Sequence, residues 1–256
     1  DAYPAHLAVR AYGQGRDGKL WRSLGASSYT AARLALAGLI AEEPELVESA
    51  MEYVRRKGIE SFAGSMGMWG AMVFDVLHPW LSEDERQAFG VLLRRGVDPQ
   101  VAGRGLNGNI QVGVVRDMLA VGAVLEDEDL IRDALYDPAC GLYCQLEQGI
   151  FPGGSWNEGS TGYGMVVAYH HFAWMPIVLR HSGIDLMADP VFVTQVRAML
   201  DFMAGIHRPD WIFEGVGDGG LGDIFWGSEL TYALFRHPVY GAMVEKTRGL
   251  EYDAGG

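Results

Sequence analysis

Apolar residues recur along this chain at three- and four-residue spacing, and short polar or glycine-rich breaks separate the runs. Ala32, Leu34, Leu36, Leu39 and Ile40 predict a first helix beginning after Ser27-Ser28. Pro44 suits the first helical position of a second, which Leu46, Val47, Ala50, Met51 and Val54 continue. Arg55-Arg56-Lys57-Gly58 closes it, a basic last turn followed by glycine. A third helix from about Glu60 to Leu77 ends at His78-Pro79, since the residue before proline avoids helical geometry. Ser82 with Glu85 is a capping box that opens a fourth, running to Arg94-Arg95-Gly96.

The same spacing predicts helices from Asn109 to Gly122, from about Glu128 to Leu135, and from Pro138 through Leu146. It predicts a long helix from Tyr163 to Arg180 with a kink at Pro176, and another from Pro190 through Met203. Two shorter ones follow, near Gly227 to Phe235 and Val239 to Arg248. No run alternates in the manner of a strand, so the expected fold is all-α. Antiparallel hairpins with small buried residues suggest a toroid or solenoid rather than a four-helix bundle, here an incomplete (α/α) toroid filling a single domain, 1–256.

Three breaks differ from ordinary connections. The stretch from Phe151 to Gly164 packs glycines and small polar residues around Trp156, Glu158 and Tyr163, just before an apolar helix. Asn107-Gly108-Asn109 opens an earlier helix, and Glu214 to Asp223 is rich in glycine and aspartate. Each falls at a junction between hairpins, and in a toroid such junctions converge on one rim.

Composition narrows the chemistry. With 49% hydrophobic and 21% charged residues over 256 positions, the chain can bury a core and reads as soluble, or as the mature part of an exported protein. Its apolar stretches are interrupted before the roughly 18 residues that a membrane span needs, so no membrane partner is expected. A net charge of −13 argues against a nucleic-acid surface while leaving room for an acidic sugar in a small basic pocket. Cys140 and Cys144 supply two of the four ligands of a structural zinc and are read as buried thiols, so no metal or cofactor is expected.

The order of features carries a resemblance. Leu81-Ser82-Glu83-Asp84-Glu85-Arg86 opens a helix, Asn107-Gly108-Asn109 opens the next, and Glu126-Asp127-Glu128-Asp129 lies between helices. Then come Gly154-Ser155-Trp156-Asn157-Glu158-Gly159-Ser160 and Gly162-Tyr163. From about Met72 to Asp223 this resembles the helical domain of heparinase II/III-like and oligo-alginate polysaccharide lyases. The resemblance implies an incomplete (α/α) toroid followed by a β-sandwich, and the latter has no counterpart in these residues.

It further implies β-elimination next to a uronic acid. A base removes the proton α to the carboxylate, and the leaving glycosidic oxygen receives a proton. The carboxylate must first be polarised, which an amide does by hydrogen bonding without adding negative charge. Asn109 is the implied polariser, with Asn107 beside it. Tyr163 is the implied proton carrier, acting as general acid. Several relatives place a second proton carrier, a histidine, directly after the asparagine; here Ile110 stands there, and the candidates are His170 and His171, about two turns beyond Tyr163, of which adjacent positions on a helix let only one face the cavity, His170 being the one taken. Trp156, Glu158, Arg104 and Arg116 are the candidate contacts to an acidic polysaccharide or oligosaccharide. Other readings stay open: Asn109 as an N-cap, Trp156 as core, Glu158 as a cap for the helix that follows. A glycoside hydrolase would pair Glu158 with Asp218 or Asp223 about 5–9.5 Å away, and a non-catalytic module would bind sugar and leave it intact.

Overall fold

The computed structural model describes residues 28–59, 67–102, 108–206, 212–213, 216–217, 222–223 and 228–253. Its contacts divide the chain into two compact units, Asp1–Ala102 and Gly103–Gly256. The fold is all-α.

In the first unit, α1 (Ser28–Ile40) and α2 (Pro44–Lys57) pack against each other. Ala31, Ala32 and Ala35 are fully buried, and Gly38 approaches so closely that a Cβ there would lie 2.8 Å from Val47 Cγ2. Small residues thus bring the two helix backbones together. Helix α3 (Gly67–Leu77) packs on α1, and a 3₁₀ turn, His78–Trp80, ends it at the expected proline. Helix α4 (Glu83–Ala102) packs on α3 through Phe74 and Phe89, whose rings meet edge to face at 5.5 Å. It continues beyond Gly96, where the sequence suggested a stop. Val97 is fully buried, so core packing outweighs the cost of a helical glycine, which is about 1 kcal/mol. The start expected for α3, residues 60–66, lies outside the described residues.

In the second unit, α5 (Asn109–Leu125) is largely buried, with Val112, Val115, Met118, Leu119 and Val121 in the core. Helix α6 (Glu128–Tyr136) packs on it and is N-capped by Asp127, which accepts from Leu130 N at 2.9 Å. The next helix, α7 (Leu142–Gly149), begins four residues after the expected Pro138. Asp137 Oδ1 accepts from Ala139 N at 2.8 Å and Cys140 N at 3.2 Å, holding residues 138–140 in a turn. Cys140 and Cys144 are buried and unbridged.

The long helix expected from Tyr163 to Arg180 is divided. Helix α8 (Thr161–Met165) leads into a π-helical segment, Val166–Phe172, and then into α9 (Met175–Arg180). Pro176 lies in the first turn of α9, where its missing N–H costs nothing, so it starts a helix instead of kinking one. A 3₁₀ turn, Leu186–Ala188, precedes α10 (Pro190–Gly205), whose N-cap Asp189 accepts from Val191 N at 2.8 Å and also receives the Tyr143 hydroxyl. A two-residue antiparallel ladder pairs β1 (Ile212–Phe213), just before the second glycine-rich stretch, with β2 (Gly222–Asp223) at its end, where no strand was expected. Helices α11 (Ser228–Phe235) and α12 (Pro238–Asp253) pack on each other, and α11 also meets the π segment. Among the described residues no helix is long and apolar enough to cross a membrane.

The capping box of α4 is formed. Ser82 N donates to Glu85 Oε2 at 2.8 Å, and Glu85 N to Ser82 Oγ at 3.2 Å. Arg55 of α2 adds a two-pronged contact, Nε to Oε1 at 2.9 Å and Nη2 to Oε2 at 3.2 Å. The Arg55 guanidinium, followed by the Ser82 N–H, pulls the Glu85 carboxyl down from its ordinary 4.5 to about 2. A carboxyl held low in the folded state stabilises it above the unfolded value, and that share is lost as pH falls from about 4.5 towards 2. With Arg55 about half exposed, solvent screening limits the share to about 1 kcal/mol. Denaturation of Glu85→Gln is expected to show lower stability than the parent at pH 7, with the gap closing by about pH 2.

Candidate functional site

Helix α5 lacks a side-chain N-cap: Gly108 occupies that position and Asn109 is the first helical residue, not the cap. The free N–H groups of its first turn find other partners. Asn109 N donates to Glu158 Oε2 at 2.7 Å, from 49 residues further along the chain. Ile110 N donates to Asn109 Oδ1 at 2.8 Å. That second bond fixes the amide: with Oδ1 held by the backbone, the two Nδ2 hydrogens are the free donors.

Glu158 Oε2 also accepts from Trp156 Nε1 at 2.6 Å. The carboxylate is therefore a clamp between the central loop and the start of α5, and its negative charge suits a helix N-terminus. It does not cap the helix that follows; Ser160 does, accepting from Tyr163 N at 3.3 Å. Trp156 is 2% exposed, its ring against Phe172 at 6.3 Å, so it offers no face to a sugar ring and belongs to the core. The reason is local: Phe151 N donates to Ser155 O at 2.9 Å and Asn157 N to Gly149 O at 2.9 Å, which folds the loop back and lays the indole over Gly149. Gly154, at φ +89°, sits so close to Ala198 O that a Cβ would reach 2.0 Å from it.

The second glycine-rich stretch joins the same loop. Thr161 N donates to Val216 O at 3.2 Å, and Val216 N to Thr161 Oγ1 at 3.1 Å. Gly217, at φ +64°, stands where a Cβ would lie 2.9 Å from Gly159 O, so only glycine allows this approach. The loops at Gly108–Asn109, Trp156–Thr161 and Val216–Gly217 thus meet, as their positions in the sequence suggested. Asn107, Arg104 and Asp218 lie outside the described residues, as does the side chain of Asp223.

Tyr163, half-buried in α8, has its N–H capped by Ser160, and among the described residues its hydroxyl has no hydrogen-bond partner. Next to it Gly164 packs on Trp156 and Met203, where a Cβ would lie 3.4 Å from Trp156 Cβ. The buried Trp156 therefore packs against the backbone next to Tyr163.

One turn and two turns into α5, Gly113 and Arg116 share the face of Asn109. The π segment packs on this helix and brings His171 to it: a Cβ at Gly113 would lie 3.4 Å from His171 Cε1 and 3.5 Å from Nε2. Arg116 Nη1 donates to His171 Nδ1 at 3.1 Å, while Nε and Nη2 donate to Asp117 Oδ1 at 3.0 and 2.6 Å. Arg116 is 6% exposed and committed to these partners, so it supports the site from below instead of meeting a carboxylate at the surface. His170 and His171 stand side by side, ring centroids 5.3 Å apart. Burial, with the Arg116 charge, pushes His170 down to about 4. Burial, Arg116 and then His170 push His171 down to about 2. Both rings are neutral at pH 7, and both feel Arg116. The wider π turn reduces the angle between successive side chains.

His171, Asp117 and Gly113 were not among the site residues read from the sequence. The spacing of Asn109, Gly113 and Arg116 along one helix face was the available signal for them. The chain matches no protein-family model and no curated protein.

Loss of the clamp has a defined cost. Glu158→Ala leaves the buried Trp156 N–H and the Asn109 N–H without their acceptor and is expected to lower the stability of the chain by about 1–3 kcal/mol. Glu158→Gln, which keeps an acceptor oxygen, should recover most of it. Chemical denaturation followed by tryptophan fluorescence checks both variants, and equal losses would show that charge alone holds the clamp.

Proposed function

We propose that the chain carries the asparagine and tyrosine part of a polysaccharide lyase site, acting by β-elimination on a uronic-acid-containing polysaccharide or oligosaccharide. The observation that carries this reading is the Asn109 amide, whose oxygen is held by Ile110 N so that its two N–H donors are free, on a helix start clamped to the loop before Tyr163. A neutral, fixed donor pair is what a uronate carboxylate needs as charge builds on it during removal of the α proton. Tyr163 then gives its proton to the leaving glycosidic oxygen. His170, neutral at pH 7, is the candidate acceptor of the α proton. The bond between the glycosidic oxygen and the sugar breaks as the double bond forms next to the carboxylate, and no water is consumed.

The arrangement of the helices as an incomplete (α/α) toroid, and the kinship with heparinase II/III-like and oligo-alginate lyases, belong to the same proposal. The hydrolase alternative gains no support from Glu158, because one of its oxygens already holds two donors at the loop junction.

Ultraviolet absorbance of the unsaturated product, followed on a panel of uronate polymers, tests the reading. Absorbance is expected to rise with the parent protein. The rate should fall roughly 10²–10⁴-fold in Tyr163→Phe and roughly 10²–10³-fold in Asn109→Ala. New reducing ends without absorbance would replace elimination by hydrolysis.

A further inference from the structure

The Arg116, Asp117 and His171 group has a chemical consequence that the elimination scheme does not use. A guanidinium has five N–H donors and no acceptor, so in the contact between Arg116 Nη1 and His171 Nδ1 at 3.1 Å the imidazole nitrogen must accept. A neutral imidazole that accepts at Nδ1 carries its proton on Nε2. Nε2 lies on the edge of the ring that faces Gly113, 3.5 Å from where a Cβ would stand, one helical turn from Asn109 and on the same face of α5. A Cβ at position 113 would stand in van der Waals contact with this edge.

Charge supports the same assignment. Arg116 and Asp117 neutralise each other, with Nη2 to Oδ1 at 2.6 Å, and both are less than a tenth exposed. Protonating His171 would place a second cation against Arg116 and beside His170, whose ring centroid is 5.3 Å away. The imidazole that accepts from Arg116 at Nδ1 thus presents an uncharged Nε2–H.

We propose that His171 Nε2–H and the Asn109 amide together form an uncharged two-donor cradle for the substrate's uronate carboxylate, with Arg116 and Asp117 as positioning residues that set the histidine tautomer. The inference rests on the lyase reading for the identity of its ligand. It assigns His171 a donor role, so His171 is not the base. Neutral donors bind a carboxylate weakly in the ground state and more strongly as charge grows on it, so the effect falls on turnover more than on affinity.

The test is nitrogen NMR of the full chain with ring-labelled histidine, before and after addition of a uronate trisaccharide, with the neutral trisaccharide of the same linkage as control. The expected spectrum has a pyridine-type Nδ1 and a pyrrole-type Nε2 for His171, and the Nε2–H resonance moves with the uronate probe alone. In the absorbance assay, His171→Gln, which retains a side-chain N–H donor, should keep activity within about tenfold of the parent, while His171→Leu lowers kcat roughly 10²-fold with a smaller change in KM. A proton on Nδ1 overturns the cradle outright, and needs no folded variant to be seen. Uronate-dependent shifts at Asn109 and Tyr163 with Nε2–H unmoved overturn the cradle and leave the lyase reading standing. No elimination from any polymer and no uronate-dependent shift anywhere overturns both.

Discussion

One carboxylate oxygen holds the junction together. Glu158 Oε2 accepts from the indole of Trp156 at 2.6 Å and from the first N–H of α5 at 2.7 Å. The indole is buried, so its N–H must have a partner, and the helix start has no side-chain cap of its own. Satisfying both with one group fixes the entry of α5 to the loop that follows α7. Everything read as chemistry depends on that: the direction of Asn109, the cap of Ser160 under Tyr163, and the pairing of Thr161 with Val216.

The second support lies beneath the first. Arg116 and Asp117 are an ion pair with little solvent to screen it, an arrangement that costs desolvation and is weak evidence of stability by itself. Its geometry suits another task, since the remaining guanidinium N–H goes to His171. The π-helical segment is what brings the ring there. π turns inside α-helices occur frequently at functional sites, and this one sets two neutral histidines beside the face that carries Asn109.

Helix starts were the most legible part of the sequence. Pro44, Ser82 with Glu85, and Pro190 mark starts through local chemistry, and the structure begins α2, α4 and α10 there or one residue beyond. Ends and interruptions were less legible, because they follow packing. Gly96 read as a stop, yet the burial of Val97 keeps α4 going; Pro138 read as a start, yet Asp137 holds a turn there first. In the site, the meeting of the three glycine-rich loops could be anticipated from their positions. The fate of individual side chains could not. Trp156 in a polar loop looked like a platform for sugar, but the hairpin from Ile150 to Trp156 turns its ring inward. Arg116 was read as a contact to an acidic sugar, and only the approach of the π segment shows what it holds. Contacts between residues 49 and 55 positions apart leave no periodic trace in one sequence.

In the proposed elimination the Asn109 amide and the Tyr163 ring face one ligand at the loop junction. Amide and aromatic chemical-shift mapping with a titrated uronate oligosaccharide tests it most directly. The Asn109 side-chain NH₂ and Tyr163 ring signals are expected to move together, with one saturation curve, and Trp156 Nε1–H, held by Glu158, to move little. Shifts confined to other surfaces, or a moving Trp156 indole with Asn109 and Tyr163 still, would contradict it.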